Sequence, residues 1–285
     1  MKPAIALARW LGRTLALVLL VMIGSTLLVR YAPGYLSDAR EMDSRYAGAA
    51  RAEISAEAAR SRSVAQMLRD EIDGWLQGTG GVSRQFGVPV MELVGPRLAT
   101  TGALLLRGLV LGWMLAMLAA LASSAGRNPS PLLQSPATLL LAIPTAAMAT
   151  LCLLAGTGGP VLVLALLLAA RDFKFLHRLL RKAWLDPHVL QARAQGLGVA
   201  QLLRAHIAPS IAPQVGALVS LSIVTALSAL VPVEVVFNIP GIGQLAWNAA
   251  LNRDLPVLLA VTILMSLSVT CAGLAPEASA EWKNA

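Results

Sequence analysis

Long uncharged runs alternate along this chain with shorter polar ones. Apolar residues dominate 14–29, 108–126, 128–170, 214–233 and 255–276, and runs of about 20 such residues suit helices through a hydrocarbon core of about 30 Å. The turn signal "GTGGP" at 156–160 interrupts the third run. That run therefore predicts a hairpin of two spans, and the chain six crossings. The fourth is the weakest, because it is cleanly apolar only over 161–170, before Arg171 and Asp172. Snorkelling by Arg171 and Lys174 would lengthen it. A second span starting at Gly108 would leave Arg107 at the outer interface.

Composition supports a membrane protein. The 285 residues are 56% hydrophobic and 13% charged, against about 25% charged in soluble chains. The net charge of +8 is unevenly placed. With the N-terminus inside, Lys2, Arg9, Arg13, Arg127, Arg171, Lys174, Arg178, Arg181, Lys182, Arg193, Arg204 and Lys283 all fall on cytoplasmic pieces. This is the positive-inside pattern, which places both termini in the cytoplasm and accounts for the charge without nucleic acid. The first apolar run is followed by "RYAPG" rather than a small-x-small cleavage site, so it reads as a retained span. Cys152 and Cys271 lie in apolar runs and read as small buried hydrophobes.

Between the first two spans, residues 49–76 place Val64, Leu68, Ile72 and Trp75 or Leu76 at helical spacing. An external amphipathic helix follows, packed on its own loop or docking a partner. "GTGGVSRQFG" at 78–87 ends it.

Residues 171–209 are the most informative. Phe175, Leu176, Leu179, Leu180 and Ala183 continue the fourth helix beyond the lipid, until Asp186 and Pro187 stop it and start another. Gly196 and Gly198 supply a bend. A second short helix over 199–207 would carry Val199, Leu202, Leu203 and His206 along one side. The product is a knob with an apolar face and basic edges at Arg193 and Arg204. A protein could grip it, or it could lie on anionic headgroups.

Further on, Pro240 and Gly241 can begin a helix over 242–251, with Leu245, Trp247 and Leu251 dipping towards the membrane while Arg253 and Asp254 stay wet. Ser220, Ser222, Thr225 and Ser228 could line an aqueous path or mediate helix packing. No Gly-x-x-x-x-Gly-Lys-Ser/Thr loop occurs, so nucleotide energy would have to come from another chain. The spans offer no paired acids, Ser/His pair or metal ligands for an intramembrane enzyme. His177, His188 and His206 all lie in the polar segment, without a His-x-x-x-His spacing.

"ARAQGLGVAQLLRAHIAP" at 192–209 resembles the EAA loop of ATP-binding-cassette importer permeases, in the version found in the dipeptide/oligopeptide family. Ala192, Arg193, Ala194, Gly196 and Leu197 match it, and His206 keeps its spacing from the glycine. "VPVEVVFNIPGIGQLAWNAALNRDLPVL" is similar to a second block of that family at Glu234, Phe237, Pro240, Gly241, Gly243, Asn252, Arg253, Asp254 and Pro256. "GWLQGTGGVSRQFGVPVMELVGPRLATTGALLL" is similar to a third, through Gly74, Trp75, Leu76, Ser83, Gly87, Pro89, Val90, Arg97 and Thr101. The departures are "APGYL" after the first span, the tail "APEASAEWKNA" and Pro209 where the peptide subfamily is usually basic.

The resemblance implies an all-α polytopic fold of the type I importer permease class, with six transmembrane helices and an external loop and helix after the first. Residues 1–30 would hold the N-terminal segment and first span, 31–97 the external loop, 98–276 the permease core and 277–285 a cytoplasmic tail. The core would include a coupling loop at 172–209 and an external loop at 234–254. It further implies ATPase coupling through Asp186, Ala192, Arg193, Ala194, Gly196, Leu197, Leu202, Leu203 and His206. An external scaffold or gate would be formed by Glu234, Phe237, Pro240, Gly241, Gly243, Asn252, Arg253 and Asp254. The expected partners are a second permease, two cytoplasmic ATPases that carry the ATP and magnesium, an external binding protein and the lipid of a bacterial inner membrane. This chain itself would bind no cofactor or metal. Di- or oligopeptides are the expected cargo, nickel or a metal chelate the alternative, and a non-transporting membrane scaffold or sensor the reading from another class.

Overall fold

The computed structural model describes residues 2–31, 66, 69, 72–75, 77–124, 131–252 and 254–283. Most of the expected external helix, including Val64, Leu68 and Leu76, lies outside those residues, as does Arg253. The helices are α1 (Lys2–Tyr31), α2 (Val90–Ser124), α3 (Pro131–Ala142), α4 (Thr145–Leu154), α5 (Pro160–Trp184), α6 (Pro187–Ala194), α7 (Val199–Leu202), α8 (Ala208–Val236), α9 (Ile242–Leu251) and α10 (Leu255–Lys283). A π-helical turn, Leu203–Ile207, joins α7 to α8 without a break. Among the described residues the only β-pairing is an isolated antiparallel bridge between Val82 and Pro89.

Three of these helices are long and apolar enough to cross a membrane: Val90–Ser123, Val199–Val236 and Leu255–Gly273. Residues Gly12–Leu27 of α1 form a shorter apolar helix. The second helix begins at Val90, well before Gly108, and carries Pro96 within it. Arg107 is thus mid-helix, with its side chain exposed. The third apolar run also departs from expectation. In addition to the break at "GTGGP", it bends by 100° between α3 and α4, giving a broken span or a re-entrant loop. Pro144 is the cause, since proline disfavours helical backbone in the residue before it.

Two compact units divide the chain: residues 1–99 with 240–267, and 100–239 with 268–285. In the first, Val90, Val94, Ile242, Leu245, Ala249, Val257, Ala260 and Val261 form one apolar cluster. Met22, Leu255, Leu259 and Ile263 form another, and Trp75 packs against both.

The second unit is built around α5. Its face Phe173, Leu176, Leu180 and Ala183 packs into a cluster with Ala116, Ala120, Val189, Ala192, Leu202, Ile207 and Leu218. Phe175, expected on that face, is exposed. Close approach of α2 and α5 depends on Gly112: a Cβ there would lie 2.9 Å from Leu168 Cβ and 3.1 Å from the Ala165 carbonyl oxygen. Gly112→Val should destabilise the unit by about 1–3 kcal/mol through overpacking. A lower thermal midpoint of the purified chain in detergent checks this, with Gly102→Val, where nothing lies within 4 Å, as the harmless control.

Candidate functional site

The segment from Asp186 to His206 is a bent hook between α5 and α8 of the second unit. α5 ends at Trp184, and Pro187 opens α6 at its first position, where a missing N–H is harmless. Asp186 occupies the N-cap position, and its backbone carbonyl accepts from the Val189 and Leu190 N–H groups at 3.0 Å.

The other end of α6 explains the sequence "ARAQGL". Gly196 lies at φ +85°, the left-handed region. The Gly196 N–H donates to the Arg193 carbonyl at 3.0 Å and the Leu197 N–H to the Ala192 carbonyl at 3.4 Å. Those paired bonds form a Schellman cap, with Leu197 against the apolar cluster that contains Ala192. Gly198 does not share this role. Its φ is −67°, ordinary for any residue, and it opens the next helix, with its N–H 3.4 Å from Gln201 Oε1.

The expected short helix over 199–207 proves to be the start of one long helix. Pro209 has no N–H for the preceding turn, and the chain widens into the π turn just before it. Val199, Leu202, Leu203 and His206 therefore do not share a face: Leu202 is buried, Val199 exposed, and the other two intermediate. Among the residues assigned to coupling, Arg193, Ala194 and Gly196 are exposed, Asp186 and Leu197 half-buried, and Ala192 buried. Val199, named from the sequence, is 60% exposed; sequence reasoning missed Leu185 and Leu190, which are 66% and 46% exposed. They fall off the buried spacing of Val189 and Ala192, and that offset was the available signal.

Above the hook, α5 and α8 are joined by a polar pair. The Ser222 hydroxyl lies 2.7 Å from Asp172 Oδ2 and 2.8 Å from the Leu218 carbonyl oxygen, so its one proton is shared. The Arg171 guanidinium donates to the Leu221 carbonyl oxygen at 3.1 Å and to the Thr225 hydroxyl oxygen. Asp172 is fully buried, and its Oδ1 has no hydrogen-bond partner among the described residues. Arg171 and Asp172 thus lie within α5, against the middle of the apolar run of α8. Ser220 and Ser222 are buried, Thr225 is half-buried and Ser228 is exposed. Ser222→Ala should cost about 1–2 kcal/mol by stripping a donor from a buried carboxylate. The check is a double-mutant cycle with Asp172→Asn, in which the two losses should be clearly less than additive.

At the far end of α8, the buried Glu234 accepts at Oε1 from the Thr101 hydroxyl at 2.7 Å. Phe237 caps that helix, and its N–H donates to the Val233 carbonyl at 3.0 Å.

In the other unit, Gly241 is the N-cap position of α9. Ile242, Gly243, Leu245 and Ala249 are its buried side, whereas Trp247 and Leu251 are exposed, so Leu245 does not share a face with those two. Asn252 ends α9, its N–H donating to the Asn248 carbonyl at 3.0 Å. Pro240 is exposed. Asp254, expected to be wet, is buried and accepts from the Ser83 hydroxyl at 2.5 Å and from the Arg84 and Gln85 N–H groups at 3.2 Å each. An anion with three donors is well satisfied out of water. No group of three or more His, Cys, Asp or Glu residues suited to a metal ion occurs among the described residues.

Residues 108–281 match the profile of a family described as binding-protein-dependent transport system inner membrane component. A protein of Staphylococcus aureus named as a metal-staphylopine import system permease is 25% identical over 211 residues, covering 67% of this chain and 68% of that protein. A protein of Brucella ovis that carries the name of a peptide permease is 24% identical over 293 residues, covering 91% of this chain and 90% of its own.

Proposed function

Because this chain belongs to the family of binding-protein-dependent transport system inner membrane components, we propose that it is one half of a peptide-importing channel driven by separate ATPase chains. The hook carries this reading. Its two short arms meet at a Schellman-capped joint at Gly196, and its ends run directly into α5 and α8. Force on the hook is thus passed to two packed helices that Arg171, Asp172, Ser222 and Thr225 bind to each other.

In the proposed mechanism, closure of the ATPases on bound ATP displaces 186–206 as a lever and rotates α5 with α8, opening the path outward. Rigid-body rocking of this kind is a standard route to alternating access. Exposed Leu190 and Val199 provide apolar grip, and Arg193 and Arg204 a charged rim. Six crossings with both termini inside place the hook in the cytoplasm and α9 outside. Glu234, Phe237, Pro240, Gly241, Gly243, Asn252, Arg253 and Asp254 then serve as external scaffold. A second permease completes the channel, and an external binding protein delivers cargo.

Peptide cargo is supported by the Brucella ovis relative, whose likeness runs along 91% of the chain. Metal-chelate import is the second reading, supported by the Staphylococcus aureus relative. Reconstitution with a second permease, the ATPases and the binding protein tests both. ATP-dependent uptake of di- or oligopeptides is the expected result. Uptake of metal chelate alone would move the cargo to the second reading, and the absence of both uptake and stimulated ATP hydrolysis would leave a scaffold.

A further inference from the structure

A cleft of about 640 Å³ opens between α3 and the later part of α5. Lys174, Arg178, Arg181 and Lys182 line it, with Phe173, His177 and Leu185 from the same helix and Thr138 from α3. Positions 174, 178, 181 and 182 stand four, three and one residues apart, so the cations share one face of the helix. Among the described residues no carboxylate lines the cleft. Four like charges so arranged repel one another until an anion enters.

The level of the cleft suggests which anion. α5 and α8 run antiparallel, and Asp172 is opposite Ser222. Counting eight residues along each helix, roughly 12 Å at 1.5 Å per residue, brings position 180 level with Gln214. Gln214 opens the apolar run of α8, so the guanidinium groups of Arg178 and Arg181 stand where hydrocarbon gives way to headgroups. A site of this chemistry at that depth suits a lipid phosphate: basic pockets beside membrane helices on the cytoplasmic side bind anionic headgroups. Phe173 supplies an apolar edge for the glycerol and the first methylenes.

We propose that this cleft is a binding site for the phosphate of an anionic phospholipid, held by Arg178, Arg181 and Lys182 with Lys174 reaching from above. The proposal rests on reading α8 as a membrane span. It does not depend on the identity of the cargo or on coupling to an ATPase.

The test uses the full chain, purified in detergent and examined by native mass spectrometry with dioleoyl phosphatidylglycerol, dioleoyl phosphatidylcholine or inorganic phosphate. Wild-type chain should retain phosphatidylglycerol about tenfold better than phosphatidylcholine. Arg178→Gln/Arg181→Gln/Lys182→Gln should abolish that preference, and Arg178→Lys/Arg181→Lys/Lys182→Arg should keep it. These side chains are exposed, so the glutamine variant should fold, and an unchanged thermal midpoint verifies that. Equal retention of the two lipids by wild type, or a preference undiminished in the glutamine variant, would overturn the proposal. So would displacement of the lipid by equimolar inorganic phosphate, which marks an ion site, or a crosslink from Arg178→Cys to an ATPase subunit, which marks a protein contact. A chain that shows the preference but transports nothing would count against the importer reading and leave the lipid site standing.

Discussion

Gly196→Val should cut ATP-driven uptake roughly tenfold or more while leaving the amount of inserted chain unchanged. The residue sits at φ +85°, where an L side chain is strained by about 1–2 kcal/mol and a β-branched one by more. Crowding adds nothing, because a Cβ at Gly196 would meet no atom within 4 Å. The strain is therefore released by unwinding the cap, which breaks the bonds from Gly196 and Leu197 to the Arg193 and Ala192 carbonyls. A shift of 2 kcal/mol or more lowers the ratio of working to unwound hooks by about thirtyfold. α5 and α8 would still pack and insert, but a push on the hook would be lost in the slack joint. Gly196→Asn is the informative companion, since asparagine tolerates the left-handed region and should keep most of the uptake. Uptake assays on vesicles, scaled to immunoblotted chain, measure both variants. Normal uptake by the valine variant would remove Gly196 from the mechanism.

Asp254→Ala is expected to have the largest effect on stability, about 3 kcal/mol or more, because it deletes the common acceptor of the Ser83 hydroxyl and two backbone N–H groups. The Ser83 hydroxyl oxygen in turn accepts from the Phe86 N–H at 3.0 Å, so the loss reaches a fourth residue. Turn 83–86 should loosen from the start of α10, and limited proteolysis should cut it at a protease dose that spares the wild type. Asp254→Asn keeps one oxygen acceptor and should fall between the two. Equal protection of the alanine variant and wild type would show that the buried carboxylate holds nothing together.

Asp254 also marks where sequence reading failed. "LNRDLP" looks like a wet corner because its three polar residues are adjacent. The donors that bury Asp254 come from positions up to 171 residues away, and no local pattern encodes them. The partners of Arg171 and Asp172 were equally hidden, since Thr225 and Ser222 lie on another helix, 54 and 50 residues away.

Where local chemistry decides, the sequence was readable. Pro240 and Gly241 announced α9, whose bounds Ile242–Leu251 were anticipated. Asp186–Pro187 and Gly196 marked the two bends of the hook. Pro144 was readable too, by its effect on the residue before it, but lay unnoticed within an apolar run. The spacing of Gly108 and Gly112, where α2 closely approaches α5, also went unread. The π turn had no such mark, because Pro209 could equally have ended a helix.

Crosslinking tests the central claim most directly. In a chain whose two free cysteines, Cys152 and Cys271, are replaced by serine, single cysteines at Leu190, Arg193 and Val199 would be introduced and the chain co-expressed with its ATPase subunits. The account predicts crosslinks from this hook to an ATPase, with yields that change when ATP is added, and none from a control cysteine at the exposed Trp247 of α9. Inserted, folded chain that gives no ATPase crosslink from any of the three hook positions would contradict it.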